Sequence, residues 1–205
     1  MAGTYPHKKK ILCFEGLWDN NLEQRLSVKP LLEIISKLNG VKFTHCPCNT
    51  VSEFQFHLFQ FNSSKTASKY SVLYLAFHGH AGKITLSDQE QINLEELAGF
   101  MGKRFQGWSV ILSCCSILCL GEKRIKNFIS QTQVGLVIGY RKAVDWGESV
   151  SFEFILLDHL VNYTYLAWVR KRIETRYPTS TRLPATTFGP AEGDNPAAIR
   201  YRQST

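Results

Sequence analysis

With 205 residues, 44% of them apolar, and a formal charge of +7, the chain makes one globular domain with a tail, or at most that plus a small appendage. No apolar run approaches the roughly 18 residues of a membrane span. The Lys8-Lys9-Lys10 start leads into Ile11-Leu12-Cys13-Phe14 and breaks at Glu15, too short a core for a signal peptide, so a cytoplasmic protein is expected.

Lys9 to Glu15 reads as a short apolar strand stopped by Gly16. Asn21 caps an expected helix from Leu22 to Leu38, with Leu26, Leu31, Leu32, Ile35 and Leu38 on one face, Pro30 kinking or splitting it, and Asn39-Gly40 as its stop. Val41 to Cys46 is a second strand, ended by Pro47. Phe54, Phe56, Leu58 and Phe59 fit both a helical and a strand period; Thr50 followed by Glu53 forms a capping box and decides for helix over Thr50 to Phe61.

A polar link, Ser63 to Ser68, precedes a continuous apolar strand, Ser71 to Phe77, that stops at His78-Gly79-His80-Ala81-Gly82. A hairpin around Ile84 to Asp88 follows, then a helix from Leu94 to Phe105 capped by Asn93. Trp108 to Ser113 is another apolar strand and stops at Cys114-Cys115-Ser116. A helix from Glu122 to Gln131, a buried strand from Val134 to Tyr140 and a long helix from Ser149 to Arg172 complete the pattern. Strands alternating with helices predict an α/β fold with a mostly parallel, doubly covered sheet. Pro, Thr and Gly dominate from Pro178 onward, so residues 1–177 form the predicted domain and 178–205 a flexible basic tail.

The six cysteines lie mostly in or beside apolar runs and make no disulfide framework. Cys46-Pro47-Cys48 is one residue short of a zinc knuckle and has no second Cys/His pair, so no metal is expected. Neither a Gly-x-Gly-x-x-Gly nor a Walker-type loop is present, which ranks nucleotide binding last and calls for no cofactor. Seven Lys/Arg against three acids between positions 170 and 205 fit contact with an acidic partner. The tail lacks interleaved aromatic and basic residues, which argues against nucleic acid as a direct ligand.

Two strand ends carry the chemistry. Parallel strands that leave the core at one edge deliver their last side chains into a shared crevice. His78 and Cys115 stand at such ends, and an imidazole beside a thiol is the minimal base-plus-nucleophile pair. Gly79 allows close approach of a substrate carbonyl and offers its amide to an oxyanion, as does the amide of Cys115. His80 is the alternative base; His78 is preferred because it directly follows the apolar run.

These pieces in order, Leu75-Ala76-Phe77-His78-Gly79, then Ile92-Asn93-Leu94-Glu95-Glu96-Leu97, then Val110-Ile111-Leu112-Ser113-Cys114-Cys115, resemble the caspase-like superfamily of cysteine peptidases, most closely its CHAT branch. Gly139-Tyr140 and Val144-Asp145-Trp146 resemble that branch's pocket-lining segment. The resemblance implies a three-layer caspase-like fold, a His78/Cys115 dyad, and a protein or peptide substrate. It also implies a separate activating protein, since no sensor region is attached, and a setting in bacterial defence or cell death. The caspase signature Gln-Ala-Cys-x-Gly is replaced by Ser113-Cys114-Cys115-Ser116, so aspartate specificity is not implied. Asp145, helped by Glu148, would favour Lys or Arg before the scissile bond; alternatively both simply begin the long helix. A catalytically inactive scaffold or regulatory subunit of the same fold is the competing reading.

Overall fold

The computed structural model describes residues 10–19, 26–65, 67–86, 90–163, the positions 169, 171 and 175, and the backbone of 185–188. Its main sheet has six strands in the order β2-β1-β3-β7-β8-β9: β1 (Lys10–Glu15), β2 (Phe43–Pro47), β3 (Tyr70–Ala76), β7 (Ser109–Ser113), β8 (Leu136–Tyr140) and β9 (Ala185–Phe188). The first five run parallel, and β9 alone is antiparallel, against β8.

Continuous apolar runs make the central strands because both of their faces are covered. One face of the sheet, with Ile11, Val72, Tyr74, Ile111 and Ile138, packs on α1 (Lys29–Asn39) and α5 (Trp146–Asn162). The alternate residues Leu12, Leu73, Leu75, Val110 and Leu112 pack on α2 (Val51–Ser63), α3 (Leu94–Met101) and α4 (Glu122–Thr132). This is the three-layer α/β architecture, and period-two alternation along each strand divides the core into two clusters.

The Thr50 capping box and the Asn93 cap are formed as read: Thr50 takes the Glu53 amide at 3.1 Å, and Asn93 takes that of Glu96 at 2.8 Å, with Glu96 completing a second capping box. Pro30 does not kink α1. It stands in the first turn, where the missing N–H costs nothing, and residues 26–28 before it are not helical. The expected helical residues 22–25, and most of 164–172, lie outside the described residues. Helix α5 starts three residues earlier than the pattern predicts, at Trp146, because Asp145 supplies its N-cap.

The predicted hairpin is larger than expected, a small antiparallel sheet of β4 (His78–His80), β5 (Lys83–Thr85) and β6 (Gln91–Asn93). Ala81 and Gly82, both at positive φ, make the two-residue turn between β4 and β5. Within the predicted tail, Ala185–Phe188 is a strand on β8. The open edge of β8 needs partners for its amides, and a run with two threonines and a phenylalanine provides them. The rest of 176–205 lies outside the described residues. Among those described, no helix is long and apolar enough to cross a membrane.

Candidate active site

Glu15, Ala76 and Ser113 lie side by side, paired in register at the carboxyl edge of β1, β3 and β7. The sheet order reverses between β1 and β3, and such switch points are where open α/β sheets bind ligands. Three segments leave the core here: Gly16-Leu17-Trp18, Phe77-His78-Gly79 and Cys114-Cys115-Ser116.

The second and third segments touch. A Cβ at Gly79 would sit 2.6 Å from the Cβ of Cys114 and 2.7 Å from the Cys115 carbonyl oxygen, so only glycine lets the backbone after His78 lie on the Cys114–Cys115 peptide. Gly79→Ala is therefore expected to cost about 1–3 kcal/mol by overpacking against backbone atoms. It should also slow thiol labelling at Cys115; a melt and a labelling rate unchanged from wild type would refute the contact.

The first segment holds the imidazole. Nε2 of His78 lies 2.7 Å from the carbonyl oxygen of Trp18. A carbonyl only accepts, so that bond keeps the ring proton on Nε2 and leaves Nδ1 as the basic nitrogen. The Trp18 indole meets His78 edge-on, with centroids 5.2 Å apart, and meets Trp146 likewise at 4.7 Å.

Cys115 is half-buried, and its Sγ faces the carbonyl oxygen of Val144 at 3.8 Å. Its neighbour Cys114 is fully buried, with Sγ donating to the Leu75 carbonyl at 3.6 Å. Burial pushes the Cys114 thiol far above the ordinary cysteine range. Of the two adjacent thiols, Cys114 is packed in the core and Cys115 is partly exposed. Beyond Cys115 the chain turns through Ser116 at φ +54° and is laced to the β8–α5 connection: the Ser116 amide donates to Lys142 at 3.2 Å and that of Leu118 to Tyr140 at 2.9 Å.

A carboxylate supports this floor from below. Glu153 of α5, 1% exposed, accepts from the hydroxyls of Tyr74 and Tyr140 and is hydrogen-bonded to Ser113. Burial raises its carboxyl above the ordinary range despite those three bonds.

The structure thus sets Gly79, next to His78, against the Cys114–Cys115 backbone, while the His78 ring is held by Trp18 and the Cys115 thiol faces Val144. Asp145 is exposed and caps α5, its Oδ1 accepting from Gly147 at 2.8 Å and Glu148 at 3.3 Å; Glu148 is exposed in the same first turn. The helix-start reading of these two acids therefore holds, one residue beyond the carbonyl that faces Cys115. His80 is exposed on β4, opposite Lys83. Trp18 and Glu153 escaped the sequence reading, because each earns its place only through contacts across the fold, whereas Trp146 was read only as part of a segment resembling a pocket wall. Cys46 and Cys48 flank the end of β2, and burial raises both thiols. Among the described residues no three metal-ligating side chains gather.

No curated protein matches the sequence. Among solved structures, the fold is similar to the Drosophila initiator caspase Dronc, with a TM-score of 0.57 over 90% of this chain and 82% of that one, at 10% sequence identity. That likeness shows a caspase-like fold. A family model described as a family of unknown function (DUF6642) matches residues 8–178, and the chain belongs to that family.

Proposed function

We propose that the chain is a cysteine endopeptidase of the CHAT type, acting in the cytoplasm in a defence or cell-death setting when a separate protein activates it. The observation that supports the reading is the packing of Gly79 on the Cys114–Cys115 backbone, which sets His78, its ring held by the Trp18 carbonyl, and the half-buried Cys115 at the ends of neighbouring strands.

In this mechanism Nδ1 of His78 takes the thiol proton while Sγ of Cys115 attacks the scissile carbonyl carbon. The amides of Gly79 and Cys115 receive the oxyanion. Collapse breaks the C–N bond, and the imidazolium gives its proton to the departing amine. The thioester is then hydrolysed by a water that His78 deprotonates, and the thiol regains its proton. Nothing in this cycle needs a metal or an organic cofactor.

Asp145 and Glu148 remain our candidates for attracting Lys or Arg before the scissile bond, now with a cap to separate from a charge. Asp145→Asn keeps an oxygen for the Gly147 amide and removes the charge. The Asp145→Asn/Glu148→Gln double variant is expected to lose about tenfold in kcat/KM on Lys and Arg peptides with its melting curve unchanged. Equal loss on uncharged peptides, or none at all, refutes the pocket. The overall reading is tested with a panel of fluorogenic peptides and a thiol-trapping probe followed by mass spectrometry. Turnover with Cys115 as the modified residue is the expected result; an unreactive Cys115 would instead favour a scaffold of the same fold.

A further inference from the structure

Glu15 ends β1 and is 4% exposed, and a carboxylate buried at a strand end needs an explanation. Its explanation is a full set of donors from three segments. Trp18 Nε1 reaches Oε1 at 2.6 Å, the Val28 amide reaches the same oxygen at 2.7 Å, and Oε2 takes Ser27 Oγ at 2.7 Å and lies 2.6 Å from His45 Nε2. Burial alone would raise the carboxyl; the bonds from His45, Ser27, Trp18 and Val28 outweigh it and hold the group below the usual range, so it is ionised at neutral pH.

The position of this cluster matters more than its stability. The Gly16 amide continues the sheet by donating to Ala76 at 3.0 Å, and a Cβ at Gly16 would come 2.6 Å from the Phe77 ring. The chain after β1 therefore lies directly on the end of β3 and delivers Trp18 to His78. One residue, Trp18, then does three things: its indole nitrogen is tied to Glu15, its carbonyl holds His78 Nε2, and its ring packs between His78 and Trp146. A backbone carbonyl constrains an imidazole only as well as its own residue is held, and the indole-to-carboxylate bond ties down that residue's side chain.

We infer that Glu15 is a positioning residue for the base: by fixing Trp18 it sets the tautomer and orientation of His78, and so the readiness of the Cys115 thiol. This rests on the His78/Cys115 reading above, and it assigns the dyad a buried acidic anchor that never touches substrate.

The test is the rate of iodoacetamide labelling at Cys115 in the full chain, located by mass spectrometry, at pH 7 and at about pH 10, where a free thiol ionises without help. Wild type and His78→Ala come first. If wild type labels no faster at pH 7 than His78→Ala does, the dyad itself fails and this inference falls with it. With a His78-dependent rate in hand, Glu15→Gln and Trp18→Phe are measured. Trp18→Phe keeps the carbonyl and an aromatic ring but lacks the nitrogen that binds Glu15, and it decides alone if Glu15→Gln does not fold. We expect each folded variant to lose about tenfold at pH 7, toward the few per cent thiolate of a free cysteine, and to rejoin wild type at about pH 10. A wild-type rate at pH 7 overturns the inference while leaving the dyad standing. An equal loss at both pH values also overturns it, since that would mean altered access rather than a displaced base.

Discussion

Cys115→Ala and His78→Ala are each expected to lower peptide cleavage by at least about a thousandfold while leaving the melting curve close to wild type. The size follows from removing a member of a unit that acts together: either change alone costs most of what removing both would cost, so the double variant should be little worse. The unchanged fold follows from where the two side chains lie, since one is exposed and the other half-buried, and neither sits in the two core clusters. A sharper version separates the adjacent thiols. Cys114→Ala should keep activity and leave labelling at Cys115 intact, because Cys114 is a packed, raised-pKa thiol bound to the Leu75 carbonyl. Its cost should be about 1 kcal/mol of stability from a small cavity. Activity that survives in Cys115→Ala but vanishes in Cys114→Ala would reverse the assignment.

The largest expected effect on stability lies at Glu153. Glu153→Ala strips the acceptor from the hydroxyls of Tyr74, Tyr140 and Ser113 and opens a cavity, an expected loss of about 3–5 kcal/mol. Glu153→Gln separates charge from shape. Burial raises this carboxyl in the folded state, so the folded chain holds a proton that the unfolded chain releases at a lower pH. Stability from this group is therefore fully present below the ordinary carboxylate range and declines as pH rises toward the raised folded value. The amide does not titrate. Denaturant melts should show Glu153→Gln gaining on wild type across that rising window, with the two close together at its acidic end. Parallel profiles throughout would mean that Glu153 stays ionised in the fold. Because Ser113 is two residues before Cys115, and Tyr140 receives the Leu118 amide, loosening this network should also loosen the turn that carries the thiol.

Much of this arrangement was legible in the chain itself where the signal is local. The runs Ser71 to Phe77, Trp108 to Ser113 and Val134 to Tyr140 read as buried strands of a mostly parallel sheet because both faces need apolar side chains. Thr50 with Glu53, three residues apart, announced one helix as a capping box, and Asn93 announced another as its N-cap. His78 stood out as the side chain directly after one such strand, and Cys115, one residue past Cys114 at the end of another, was picked by the register of the family resemblance. Pro30 misled, because a proline that breaks a helix and one that starts it differ only in where the preceding turn lies. Asp145 was ambiguous because a cap and a pocket charge use the same residue type.

What the order of residues determined by itself is the strand-and-helix alternation, with His78 and Cys115 at two strand ends and a glycine directly after His78, since these follow from periodicity over a few positions. Only the tertiary structure decided which carbonyl takes the imidazole, which of two adjacent thiols is buried, and that Ala185–Phe188 pairs with β8 at the sheet edge. Trp18 and His78 are 60 positions apart, and Tyr74 and Glu153 are 79. Pairings at that separation are chosen by the packing of whole layers, and no local pattern encodes them.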